Sequence, residues 1–284
     1  HVDDINMTGI EKEIDQYVKR VEATFGQCKV NKHTFTNCGV RYTKTKDGDV
    51  VMDQDDYIKT LRPIVTSELT GAAAESNATV NVTSQFVSLR GALAYATLTQ
   101  IWIQVYVVSL QRVQQPTNLD VRRLNAITRK TQKDPQKLVF PSMKCSGHLD
   151  LHTDAGYRRL TGEDDEQKGY GMRGLNVLRR GIARKRASAE KCPNSKVTAV
   201  HLIDSACKSH RLQIRSSYSA ETLAATHGLE DAYPTMITLH ELCHGILKPE
   251  ELKNLREAGG LGIRLALPID AESVYKSLTS RDLK

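Results

Sequence analysis

Three stretches of this 284-residue sequence end on, or open towards, a carboxylate that folding could bring together. Leu149-Asp150-Leu151-His152-Thr153-Asp154-Ala155-Gly156 alternates, with Leu149, Leu151 and Thr153 on one face, as a half-buried strand requires, and it delivers Asp154 to the strand's end. Ser216-Ser217-Tyr218-Ser219-Ala220-Glu221 opens a helical pattern, and Leu267-Pro268-Ile269-Asp270-Ala271-Glu272-Ser273 is a short apolar strand ending in Asp270. Alone, Asp154 reads as a turn residue. Three carboxylates at element ends form a candidate set of oxygen ligands. A further acidic pair stands in His1-Val2-Asp3-Asp4-Ile5. Neighbours on a strand point to opposite faces, so at most one of Asp3 and Asp4 can ligate a metal directly unless a turn brings both round. A solvated acidic segment is the other reading.

Two further strings carry possible chemistry. His240-Glu241-Leu242-Cys243-His244 is a literal HExxH, which on a helix sets two imidazoles on one face for zinc, with Glu241 as general base. A third ligand is needed, and the candidates Glu257 and Glu272 sit in no recognisable ligand motif. Gly169-Tyr170-Gly171-Met172-Arg173-Gly174 matches GxGxxG but follows an acidic loop, Glu163 to Glu166, where a dinucleotide site needs a strand.

Composition bounds the partners. The chain carries 40 Lys and Arg against 33 Asp and Glu, a net charge of +7 and a pI near 9.0, which favours an anionic partner. Hydrophobic residues are 39% and mean hydropathy is −0.42, and no run reaches the ~18 apolar residues of a membrane span. No membrane partner is expected. Six cysteines (Cys28, Cys38, Cys145, Cys192, Cys207, Cys243) lack CxxC spacing and read as reduced thiols of an intracellular protein. Asn77-Ala78-Thr79 and Asn81-Val82-Thr83 match the glycosylation pattern by chance, since no signal peptide precedes them. The first residue is His1, and the chain is expected to be cut from something longer.

The elements that must position these groups follow from periodicity. Ile10, Ile14, Tyr17, Val21 and Phe25 predict an amphipathic helix packing one stripe on a core. Phe35, Val40, Tyr42, Val50 and Val51 around Lys46-Asp47-Gly48 predict a hairpin, and Gln54 to Ile64 a short helix stopped near Pro63. Ser67 to Ser84 lacks an apolar period and reads as a linker or long loop. Gln85 to Gln115 reads as one long, largely buried helix ended by Pro116. Thr117-Asn118-Leu119-Asp120 resembles a capping start for a helix with Val121, Leu124 and Ile127 inward. Its other face carries Arg122, Arg123, Arg129 and Lys130, with Lys133 and Lys137 beyond. That run is a solvated basic face or a phosphate-contacting one. Arg173 to Lys191, with Arg179, Arg180, Arg184, Lys185 and Arg186, reads as a solvated loop, a localisation signal or a nucleic-acid patch.

Taken in order, these stretches resemble the Pol polyprotein of copia-type LTR retrotransposons across nearly the whole chain. His1-Val2-Asp3-Asp4 resembles the Asp-Asp box of a reverse transcriptase, and Phe35-Thr36-Asn37-Cys38-Gly39-Val40 through Gln54-Asp55-Asp56-Tyr57-Ile58 the region after it. Leu89-Arg90-Gly91-Ala92-Leu93-Ala94-Tyr95-Ala96-Thr97 and the helix from Thr117 resemble the connection. Thr153-Asp154-Ala155-Gly156-Tyr157, Arg215-Ser216-Ser217-Tyr218-Ser219-Ala220-Glu221 and Ile269-Asp270-Ala271-Glu272-Ser273 resemble three successive acidic boxes of the family's ribonuclease H domain.

The resemblance implies an α+β protein. A reverse-transcriptase palm, thumb and connection remnant would precede a ribonuclease H-like mixed-sheet α/β domain: residues 1–66 the C-terminal part of the reverse transcriptase (palm end and the hairpin and helix after it), 67–84 a linker, 85–140 a helical connection and 141–284 the ribonuclease H-like domain, C-terminally truncated. It implies a mixed sheet carrying Asp154, a helix carrying Glu221 and a central strand ending at Asp270. Asp3 and Asp4 would bind metal for DNA synthesis on an RNA template. Asp154, Glu221 and Asp270 would bind Mg²⁺ or Mn²⁺ to cleave the RNA strand of an RNA–DNA hybrid, because two such ions can activate the attacking oxygen and stabilise the leaving one. The family's upstream polymerase Asp and fourth ribonuclease H acid have no counterpart in this chain, and His1 stands where an aromatic residue is common. The HExxH helix would turn Leu239 and Leu242 inward. The hybrid would run along Arg122, Arg123, Arg129, Lys130, Arg179 and Arg180, in a cytoplasmic particle or the nucleus. The other classes are a non-catalytic nucleic-acid-binding relic and, through HExxH, a zinc protease.

Overall fold

The computed structural model describes residues 5–156, 171–183, 198–210, 216–257 and 260–279, and these form a mixed α/β protein with two four-stranded sheets. The first sheet is antiparallel, in the order β1 (Thr34–Asn37), β2 (Val40–Lys44), β3 (Val50–Asp53) and β4 (Leu138–Phe140). Cys38 and Gly39 both take positive φ, 46° and 68°, as the two-residue turn between β1 and β2 needs. The expected Asp47-Gly48 hairpin joins β2 to β3, with Gly48 at φ 84°. β4 comes from far along the chain, so residues 1–66 do not complete their own sheet. The short helix α2 (Asp55–Thr60) ends ahead of Pro63, as predicted.

Helix α1 (Glu11–Phe25) forms where its period predicted, but it packs its stripe on no core. None of its residues is buried, and Ile10, Tyr17 and Phe25 are 65%, 47% and 83% exposed. Its Glu11 and Asp15 hold Lys32 at 2.9 and 3.3 Å.

The long helix expected from Gln85 to Gln115 is instead α3 (Val80–Ala96), a 3-10 turn (Ile101–Ile103) and α4 (Gln104–Gln111). The break is fixed by partners distant in sequence. Thr99 donates its hydroxyl to Gln54 at 2.9 Å, and the Gln100 amide donates to the Gln136 carbonyl and accepts from its N–H, both at 2.8 Å. Thr99 and Gln100 are fully buried, so these bonds cannot be exchanged for water without exposing the core. Residues 67–84, read as a linker or long loop, are loop over 70–79 and are tied to the helical layer. They hold a 3-10 turn (Ser67–Leu69) and the start of α3, and Ala78 donates to the Pro116 carbonyl while Asn118 and Leu119 donate to Ser76 and Ala74. Helix α5 (Asn118–Lys133) starts on the predicted capping box, Thr117 with Asp120. Phe86, Leu93, Ile103, Val121 and Leu124 form the core of this helical layer.

The second sheet runs β7 (Thr198–Ser209), β6 (Met172–Ala183), β5 (Met143–Gly156), β8 (Arg264–Ala266). β5, β6 and β7 are an antiparallel meander and β8 lies parallel to β5. Arg173 to Ala183, read as a loop, is therefore a strand. Among the described residues β8 is the sheet's edge, not the central strand the resemblance implies. Helix α6 (Ser217–His244) crosses one face, burying Leu149, Leu151, Leu175 and Val177 against Ala232 and Met236. Gly228 makes the closest approach, since a Cβ there would lie 2.6 Å from the Thr153 methyl. Helix α4 packs on β7 across the opposite face, through Gln104, which donates to the Ser205 carbonyl at 3.3 Å and accepts from its hydroxyl at 3.0 Å. Helices α7 (Pro249–Glu257) and α8 (Glu272–Thr279) flank β8 in sequence. No helix among the described residues is long and apolar enough to cross a membrane.

Candidate active site

Strand alternation divides β5 cleanly. Leu149, Leu151 and Thr153 face α6, so Asp150, His152 and Asp154 face the α4 side. Asp154 lies in register with Gly174, and two more paired residues, Ala155 and Gly156, follow it before the strand stops. Ser216 caps α6, accepting from the Ser219 N–H at 3.1 Å, which sets Glu221 at the helix start beside the end of β5. Glu221 then accepts a hydrogen bond from the Ala155 N–H at 3.3 Å. Asp270 follows β8, whose pairing with β5 brings the chain back to the same end of the sheet.

The three carboxylates thus reach one neighbourhood from three elements. Burial pushes the Glu221 carboxyl above its ordinary value, the Ala155 N–H opposes this, and the charges of Asp154 and Asp270 push it further up. That mutual repulsion is what like charges sharing a site produce. They do not close into one ligand shell: among the described residues no three His, Cys, Asp or Glu side chains are grouped closely enough to hold a metal ion. Asp154 and Asp270 open on a cleft of about 1120 Å³ between the sheet and α4, walled by Gln104, Val105, Arg112 and Asn176, while Glu221 approaches from the α6 side. The α4 wall was not legible in the sequence.

Asp3 and Asp4 lie outside the described residues, as do Tyr157, Arg184, Lys185, Arg186 and Arg215. The basic residues of α5 are partly committed to the protein. Arg122 donates to the Ala72 carbonyl at 2.7 Å, Arg123 pairs with Asp120 at 3.4 Å and Lys130 with Asp134 at 3.1 Å. Arg129 is exposed. On β6, Arg180 pairs with the buried Asp150 on the Asp154 face, whereas Arg179, opposite Leu149, is on the α6 face. The two arginines therefore do not form one track.

The HExxH residues are on α6 as the spacing requires, with the His240 and His244 rings 4.6 Å apart. His240 Nδ1 contacts the Leu261 carbonyl, and Glu241 accepts from the Leu247 N–H at 3.1 Å, capping the helix end. Leu239 packs on the core but Leu242 is 78% exposed, not inward. Gly171 and Gly174, from the GxGxxG string, precede and enter strand β6, not a helix.

Compared with known proteins, the chain matches no family model, and no curated protein matches it.

Proposed function

We propose that the second sheet carries a ribonuclease H-like site, at which Asp154, Glu221 and Asp270 serve metal-dependent cleavage of the RNA strand of an RNA–DNA hybrid. The observation that carries the reading is the meeting of three carboxylates, far apart in sequence, at one end of β5, with Glu221 raised chiefly by burial and further by the charges of the other two. A mixed sheet bearing Asp154 and a helix opening with Glu221 are also elements that the resemblance to the retrotransposon domain calls for, whereas Asp270 follows an edge strand that stops at Ala266 instead of ending a central one. Its polymerase half rests on Asp3 and Asp4, so the proposal is confined to cleavage.

The donor set suits a hard divalent cation, all oxygen and net negative, and its internal repulsion is relieved by positive charge. Asp154 and Asp270 would hold metal from the cleft, with Glu221 as the third ligand once released from the Ala155 N–H. Two Mg²⁺ or Mn²⁺ ions bound there would supply activation of the attacking oxygen and stabilisation of the leaving one. The chain's own residues do the rest. Ala155 holds Glu221 against the strand, and Arg112 and Arg173 on the cleft wall attract a strand's phosphates.

The test is strand-specific cleavage of a hybrid labelled on either strand, in Mg²⁺, by the wild-type chain and by Asp154→Asn. The reading expects loss of RNA-strand cut in the variant with hybrid affinity within about twofold, since the basic residues are untouched. Equal cleavage by both proteins would refute it.

A further inference from the structure

A second cavity, of about 700 Å³, adjoins the cleft and shares Arg112, Arg173 and Cys207 with it. It is walled by Arg112 of α4, Arg173 of β6, Lys208 and His210 at the end of β7, and His227 of α6. Among the described residues no acidic side chain lines it. Arg112 donates its Nε to Ser209 at 2.6 Å, and Lys208 reaches Asp231 at 3.3 Å. Three polar atoms in the same wall have no hydrogen-bond partner among the described residues although buried: Nε2 of His210, Nδ1 of His227 and Nε of Arg173. His210 is only 3% exposed, its backbone N–H donating to Gly171 at 3.0 Å.

Buried polar atoms are rarely left unmatched, and three on one cavity wall point to a ligand that matches them. The sign of that ligand follows from the surrounding charge. Cys207 with the two histidines could suggest a soft cation, but two guanidinium groups face the same space and repel one. Burial, with Arg173 and Arg112 beside it, holds the His210 imidazole below its ordinary pKa. A neutral imidazole can donate one N–H to an oxygen. Guanidinium forks and imidazole donors around a partly open pocket recognise tetrahedral oxyanions.

We infer that this cavity binds a phosphate group, held by Arg173, His210 and His227 where α4 closes over the sheet. None of the three carboxylates lines this cavity, but Arg112 and Arg173 line the cleft as well, so the two sites are told apart by Asp154→Asn and His227→Phe and not by Arg173→Gln. Its volume accommodates a mononucleotide or one nucleotide of a strand.

The experiment follows the imidazole signals of the intact chain by ¹H–¹⁵N NMR, without divalent metal, as inorganic phosphate, AMP or a short oligonucleotide is added. The expected result is saturable movement of the His210 and His227 rings, with His240 and His244 unmoved. A response to the oligonucleotide assigns the phosphate to a strand's backbone, whereas a response to the free ions alone assigns it to a small phosphate ligand. Arg173→Gln should weaken binding at least tenfold. His227→Phe should also weaken binding, and it serves if the first variant fails to fold. Rings that stay still in the wild-type chain at tens of millimolar phosphate overturn the inference. So does binding that survives both substitutions. Asp154→Asn, which belongs to the other site, should bind phosphate as the wild type does, so loss of cleavage and loss of phosphate binding are separable results.

Discussion

Glu221, near the start of α6, accepts a hydrogen bond from the amide of Ala155, the residue that follows Asp154 on β5. This single bond ties the helix to the strand's end and fixes one carboxylate on each side of the chain there. Its cost is electrostatic, since Glu221 is held above its ordinary pKa by burial and by Asp154 and Asp270.

The sign of the pH dependence follows. A carboxyl raised in the folded state contributes stability that is present below its unfolded value, near 4.5, and is lost as pH rises through the folded value. Glu221→Gln keeps an oxygen for the Ala155 N–H and deletes the charge. Its melting temperature should exceed the wild type's at pH 7, and the difference should shrink towards pH 4.5. A variant less stable than the wild type at pH 7 would contradict the repulsion.

Gly228 tests the packing of α6 on β5. Alanine gains about 1 kcal/mol of helix propensity, but its Cβ would meet the Thr153 methyl at 2.6 Å and Leu151 at 3.2 and 3.3 Å. Overpacking of this kind costs about 1–3 kcal/mol. Gly228→Ala should therefore lower stability in urea unfolding, and adding Thr153→Ser, which removes the methyl, should restore most of the loss.

The helical layer depends on Asn125, which is buried and clamps both backbone groups of Ile64, accepting at 2.7 Å and donating at 2.8 Å. Asn125→Ala orphans a buried N–H and a buried carbonyl, so unfolding free energy should fall by roughly 2–4 kcal/mol. A change within 0.5 kcal/mol would mean that Ile64 finds other partners.

In the first sheet, Asp53 is 3% exposed and is held by Arg41 at 2.9 Å. Removing one partner of a buried pair leaves an uncompensated charge and costs about 3–5 kcal/mol. Arg41 is itself about a third exposed, so Arg41→Met should cost roughly 2–3 kcal/mol, most of it recovered by adding Asp53→Asn.

What the sequence made legible is what local pattern encodes. The alternation through Leu149, Leu151 and Thr153, the Ser216 cap before Glu221, the Thr117 capping box and the Asp47-Gly48 turn each specify their element within a few residues. What was hidden depends on partners far along the chain. The break at Thr99 and Gln100 is set by Gln54 and Gln136, and α4 reaches the second sheet through Gln104 and Ser205. Strand β6 was missed because Arg179 and Arg180 made it look like a charged loop, although Leu175 and Val177 already alternate. His210 and His227 carry no shared motif, and only packing brings them to one cavity.

The central claim is that Asp154, Glu221 and Asp270 act as one metal site, and Mn²⁺ affinity measured by electron paramagnetic resonance addresses it directly. The account predicts tight Mn²⁺ binding in the wild-type chain, weakened at least tenfold by each of Asp154→Asn, Glu221→Gln and Asp270→Asn, and unchanged by His240→Ala. Affinity indifferent to all three carboxylate substitutions, or lost only with His240→Ala, would contradict it.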